Sequence, residues 1–201
     1  MDLLVAAITF GAIFIVELPD KTFIAALVLS TKYKPLAVWL GVGAAFGVQT
    51  LVAVTAGTLA TLLPGVVIKL VAVAIFLIGA VVLFRTAPDA EANEKETEEE
   101  YAAGSNEPKS FLKAATASFL ILFAAEWGDL SQLLTISLVA KYHDQVSVFV
   151  GAWAALLAVS GLAVIAGRVL LRYLKLSVLH YVGAAVCLLL AVITAVEGLT
   201  A

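Results

Sequence analysis

The sequence predicts an all-α integral membrane protein. It should have six transmembrane helices in two inverted repeats of three, with the first helix of each repeat broken at an acidic motif. Three observations predict this. Of 201 residues, 63% are hydrophobic and the mean hydropathy is +1.08, whereas a soluble domain is nearer half apolar. Six apolar stretches each reach the about 20 residues that a spanning helix needs. A short acidic motif occurs once in each half, at Glu17-Leu18-Pro19-Asp20-Lys21-Thr22 and Glu126-Trp127-Gly128-Asp129-Leu130-Ser131.

Taken in order, Leu3 to about Ser30 is the first span, longer than necessary and interrupted by the first motif. Thr31 to Pro35 is a polar turn. Leu36 to about Leu63 is the second span, rich in Gly41, Gly43, Gly47 and Gly57, and small residues let helices approach closely. Pro64-Gly65 marks a turn, and Val66 to Phe84 is the third span. Residues 87–110 carry Glu91, Glu94, Glu96, Glu98, Glu99, Glu100 and Glu107, and such composition reads as a solvated, mobile linker. Phe111 to Ala140 is the fourth span, again broken. Val146 to Leu171 and Val178 to Val196 are the fifth and sixth. Met1-Asp2 lacks the basic start of a signal peptide, so the first segment reads as a retained span. The single cysteine, Cys187, excludes an internal disulfide and a thiolate cage. Nothing in the chain suggests nucleic-acid binding or a resident cofactor.

The halves repeat. Aligning Glu17 with Glu126 also aligns Asp20 with Asp129, Thr22 with Ser131, and Lys32-Tyr33 with Lys141-Tyr142. The division is 1–86, linker 87–110, and 111–201. Three spans per half is an odd number, so the second half must enter the membrane from the opposite side. Such repeats place transport sites near the midplane, between equivalent broken helices. With both termini extracytoplasmic, Lys32, Lys34, Arg85, Lys95, Lys109, Lys113, Arg168, Arg172 and Lys175 fall inside, and only Lys69 and Lys141 outside. Basic residues concentrate on the cytoplasmic side, so the acidic linker is expected there, in the inner membrane for a bacterial chain.

A carboxylate at bilayer depth costs at least ~2.5 kcal/mol, and four of them need a reason. Residues i and i+3 share a helix face, so Glu17 should point with Asp20 and Glu126 with Asp129. Pro19 frees a carbonyl one turn back, and Gly128 allows close backbone approach. Thr22, Ser131 and Gln132 add neutral oxygens. Meeting faces would make an oxygen-lined cage for a hard cation such as Mn²⁺, Ca²⁺ or Mg²⁺. Four carboxylates and Lys21 leave negative charge even around a divalent ion. Without a cation, packed carboxylates repel one another, and protons relieve that repulsion. Metal and protons therefore compete for the same oxygens, which is the basis of exchange. Lys21 is expected to tether Glu17 or Asp20 when the site is empty.

Other residues carry less. Gln49 either lines the pathway or makes an interhelical hydrogen bond, and Trp127 is a candidate gate. His143 should be solvated and His180 an interface residue. Trp39, Trp153, Tyr142, Tyr173 and Tyr181 fit interfacial anchors. The partners expected are a divalent ion, protons and the lipid bilayer, with a homo-oligomer open.

At its two motifs the chain resembles the uncharacterised protein family 0016 group of cation/proton exchangers, which includes Golgi manganese and calcium transporters and bacterial manganese exporters. The family signature is Glu-x-Gly-Asp-(Lys/Arg)-(Thr/Ser), once per half. The first copy here has Pro19 for Gly, and the second has Leu130 for the basic residue. The resemblance covers essentially the whole chain. It implies that Glu17, Asp20, Glu126 and Asp129 form the cation site, with Thr22 and Ser131 as helpers, and that Mn²⁺ or Ca²⁺ leaves the cytosol in exchange for protons. Leu130 makes the halves electrostatically unequal. Two other classes compete with a transporter: an intramembrane aspartyl protease, disfavoured by paired Glu/Asp acids, and a passive channel, disfavoured by broken helices in inverted repeats.

Overall fold

The computed structural model describes residues 1–18, 20–104, 110–173 and 175–199, and every regular element among them is helical. Helix α1 runs Leu3–Glu17, α2 Lys21–Lys32, α3 Pro35–Ala60 and α4 Gly65–Thr86. After a short 3-10 turn at Ala87–Asp89 come α5 Ala90–Gly104, α6 Phe111–Ala125, α7 Leu130–Tyr142, α8 Gln145–Tyr173 and α9 Leu176–Leu199. Helices α3, α4, α8 and α9 are each long and apolar enough to cross a membrane. The pairs α1–α2 and α6–α7 bend by 71° and 72°, and if each pair is one span the total is six. The chain is an integral membrane protein, and its breaks fall at the two acidic motifs.

Polar side chains start the helices as their termini require. Asp2 accepts from the N–H groups of Leu4 and Val5, Ser110 from that of Lys113, and Pro35 occupies the first turn of α3. Helix α3 is central, packing on α6, α7 and α8, while α4 lies against α9. The most apolar stretch of α3 is 61% buried and that of α4 only 28%. The apolar flank of α4, including Val66, Leu70, Ile78 and Val81, is therefore exposed to the surroundings, as a lipid-facing helix requires.

Small residues set the close contacts and reveal helix directions. A Cβ at Gly41 would lie 2.2 Å from the Ala115 carbonyl oxygen, and Gln49 Nε2 donates to the Phe123 carbonyl at 3.1 Å. Both contacts keep the same register, so α3 and α6 run in the same direction. A Cβ at Gly151 would lie 2.4 Å from the Ala6 carbonyl oxygen, and the Asp2 N–H donates to Ser147 Oγ at 2.7 Å. Helices α1 and α8 thus also run together. Between α3 and α8 the contacts are reciprocal and reversed. Trp39 Nε1 donates to the Leu157 carbonyl (3.0 Å) and Trp153 Nε1 to the Gly43 carbonyl (2.9 Å), so these helices run in opposite directions.

Those bonds correct the expectation that Trp39 and Trp153 are interfacial anchors. They join α3 to α8, because each indole N–H has a carbonyl within reach on the facing helix. Tyr181 is 43% exposed and packs edge-on to Phe84, and Tyr142 lies under Lys141. The side chain of Tyr173 lies outside the described residues, as do Pro19 and residues 105–109. The linker differs more: its residues 90–104 form α5, which packs along α2 and touches α9. The linker is thus helical and packed on one face, where Glu94, Thr97, Glu98 and Tyr101 are half-buried, while Glu96, Glu99 and Glu100 stay exposed as a solvated charge run should.

Candidate functional site

Each half places its two acids on either side of a helix break. Glu17 is the last residue of α1, and Asp20 caps the N-terminus of α2, its Oδ1 accepting from the Lys21 N–H at 2.7 Å. Glu126 caps the C-terminus of α6, and Asp129 caps α7. Asp129 Oδ2 accepts from the Ser131 N–H at 3.1 Å and from its hydroxyl at 3.0 Å. The acids of a pair therefore converge through the break and not through i, i+3 spacing on one continuous helix. An N-terminal cap needs extended backbone, found at ψ 164° in both aspartates. Each N-terminus also favours nearby negative charge.

The four carboxylates meet. Glu17, Asp20, Glu126 and Asp129 each offer an oxygen, and all four oxygens lie within 4.8 Å of one another. Glu17 is 1% exposed and Glu126 3%, and among the described residues neither carboxylate has a hydrogen-bond partner. Buried polar atoms left in that condition are rare and call for a reason. Two oxygens on opposite sides of an ion bonded at about 2.4 Å stand about 4.8 Å apart, within the range of Ca²⁺–oxygen bonds.

The surrounding residues fall into place unevenly. Thr22 is fully buried beside both glutamates, its hydroxyl making no well-formed hydrogen bond among the described residues. Ser131 is held by Asp129, as above. Gln132 Oε1 accepts from the Gly128 N–H at 3.0 Å, and its Nε2 is buried without a partner among the described residues. Gln49 makes the interhelical bond to Phe123 and also lines, with Glu126, Ser131 and Gln132, a polar cavity of about 10 Å³. That is room for about one water. The same cavity includes Thr50 and Thr135, which the sequence did not single out. Isolated hydroxyls in apolar helices usually bond their own backbone, as Thr135 does to the Ser131 carbonyl, so no sequence signal marks them.

Three expectations are corrected. Lys21 pairs with neither Glu17 nor Asp20: its Nζ donates to the Ala125 carbonyl at 3.0 Å. It thereby ties the start of α2 to an otherwise open carbonyl at the end of α6. Trp127 is 58% exposed and leans on Phe123, with ring centroids 5.2 Å apart. It lines neither of the two cavities at the site. Gly128 brings no second backbone close, since nothing lies within 4 Å of a Cβ built there. It supplies instead a left-handed φ of 81°, which the turn between Glu126 and Asp129 requires.

His143 is exposed and ends α7 with φ 54°. His180 lies on the wall of a larger cavity of about 250 Å³ that also reaches Asp20, Lys21 and Asp129. Cys187 is buried in the core. Outside the spans, Asp144 is pulled down to about 2 by the hydroxyl and backbone N–H of Ser147, which fixes the turn against Asp2.

Comparison with known proteins gives the chain's family. The family described as divalent cation/proton antiporter GDT1 matches residues 5–91 and 114–201. The chain belongs to this family. It is an antiporter family, not an enzyme family. A GDT1-like protein of Synechocystis, sll0615, is 35% identical over 83% of this chain and 87% of its own length. The chloroplastic protein PAM71 of Arabidopsis thaliana is 30% identical over 96% of this chain, and a chloroplastic GDT1-like protein 2 of Oryza sativa is 31% identical over 92%. The chain spans 57% and 59% of those two plant proteins' lengths. No solved structure matches it.

Proposed function

We propose that this protein is a secondary transporter that moves a divalent cation, Mn²⁺ or Ca²⁺, out of the cytosol in exchange for protons. Glu17, Asp20, Glu126 and Asp129 bind the ion, and Thr22, Ser131 and Gln132 help. The observation that carries the reading is the convergence of the four carboxylates, from two separate helix breaks, within 4.8 Å. Oxygen ligands suit hard cations. The same oxygens take protons when the ion leaves, and two protons replace one divalent charge. Loading the site with either therefore relieves the same repulsion, while an empty, fully ionised site is costly in a low dielectric.

The proposed topology is six spans, with repeats 1–86 and 111–201 inverted about a cytoplasmic linker and both termini outside. The helix directions support it. Helices α1 and α8 run together, α3 and α6 run together, and α3 opposes α8. Hence α1 opposes its counterpart α6.

The test is transport into proteoliposomes loaded with a metal dye and a pH dye. A Mn²⁺ gradient is expected to drive proton counterflow, and Glu126→Gln to abolish both Mn²⁺ binding and flux. Flux without proton movement would overturn the exchange. Wild-type binding and flux in the variant would show that the two halves do not share one site.

A further inference from the structure

Helix α5 is odd in a way the transport site does not explain. It holds six glutamates and one lysine in 15 residues, a composition that suits solvent, and helices of this length are marginal alone. Yet it is seated. Ala90 is 3% exposed, and Glu94, Thr97 and Tyr101, at helical spacings from it, are half-buried. The seat is made at two points near the end of the helix. Tyr101 packs against the main apolar core, and Lys32 Nζ donates to the Ala102 carbonyl. Between them and Ala90 the covered face is polar. Half-buried Glu94 and Thr97, with the exposed Asn93, line the 250 Å³ cavity that Asp20, Lys21 and Asp129 also line, its remaining lining being mostly apolar. A helix kept only for packing would present apolar side chains there. The hydroxyl of Tyr101 is pushed up to about 12 by its burial and by the negative charges of Glu126, Glu100 and Asp20, so two of the four site acids are felt from α5.

We propose that α5 is a lid over one entrance to the four-carboxylate site, seated by Tyr101 and latched by Lys32, and that it lifts to admit ions to the cavity beneath it. By the orientation proposed above, this is the cytoplasmic entrance. The lid deepens that reading and rests on it for what passes beneath. The glutamates of α5 and the site acids repel each other, so the lid settles more firmly over a cation-loaded site than over an empty one.

The test uses the full chain with Cys187→Ala and Thr86→Cys, the new thiol lying in the cavity wall. Its rate of labelling by a water-soluble maleimide reports lid opening without reference to transport. Tyr101→Ala and Lys32→Ala are each expected to raise that rate about tenfold, and saturating Mn²⁺ to lower it in the chain with Tyr101 and Lys32 intact. In a second chain, Lys32→Cys and Ala102→Cys joined by a short bifunctional maleimide are expected to block Mn²⁺ flux while detergent-solubilised protein still melts as a folded species. Labelling unchanged by both single substitutions, or full flux through the cross-linked chain, would overturn the lid. Altered labelling together with Mn²⁺ binding unaffected by Glu126→Gln would keep the lid and remove the site reading instead.

Discussion

Asp20 and Asp129 each satisfy two demands with one carboxylate. One oxygen caps a half-helix, and under the proposed function the second is left for the ion, so binding would not strip the helix of its cap. Glu17 and Glu126 have no such anchor. Under the proposed function they are the two whose buried oxygens a cation or a proton would satisfy. Gly128 controls how the second pair is presented. An alanine there meets no atom within 4 Å but must hold φ near 81°, at about 1–2 kcal/mol. Gly128→Ala is expected to lower the melting temperature in detergent and weaken Mn²⁺ binding several-fold. Gly128→Asn, which tolerates that conformation, should lie between alanine and wild type. An alanine variant identical to wild type in both measurements would show that the turn does not depend on its left-handed residue.

At the scale of helices, the apolar spans and both breaks are legible in the sequence, because a carboxylate inside an apolar run is too costly to sit there without a use. Helix directions are not. They depend on which carbonyl faces Gly41 or Gly151, and a sequence shows small residues without their partners. Trp39 and Trp153 mislead for the same reason: near span ends, indoles are usually anchors. Helix α5 escapes a reading by pattern because a run of glutamates shows no apolar stripe, its seated face being mostly polar. The close approaches can be tested directly. Gly41→Ala and Gly151→Ala would each drive a Cβ within 2.4 Å of a backbone carbonyl oxygen on another helix. Each should cost about 1–3 kcal/mol, read as a lower melting temperature. Gly65→Ala, with open space around it, should leave that temperature near wild type. Equal melting of all three would mean that the helices separate without cost.

For the whole molecule, site and fold are inseparable. Broken helix α1 packs on α8 of the other half, and α6 on α3, so each half completes the other. The proposed exchange then makes a global prediction. If bound Mn²⁺ displaces protons, its affinity must fall as pH falls, by up to tenfold per pH unit for each proton displaced. Calorimetry in two buffers of different ionisation enthalpy should also register proton release on binding. An affinity independent of pH across the range where the empty site loads would rule out shared oxygens.

The paired indole bonds across α3 and α8 have an energetic consequence. Trp39 and Trp153 make the same contact from opposite directions. With the halves aligned as above, Trp39 falls on Val148 and Trp153 on Ala44, so turning the molecule over puts neither indole where the other stands. Inward-open and outward-open forms built on such a frame are unequal in energy. The two indole bonds thereby join the other parts that have no counterpart, Lys21 opposite Leu130 and α5 on one side alone, in setting the resting bias.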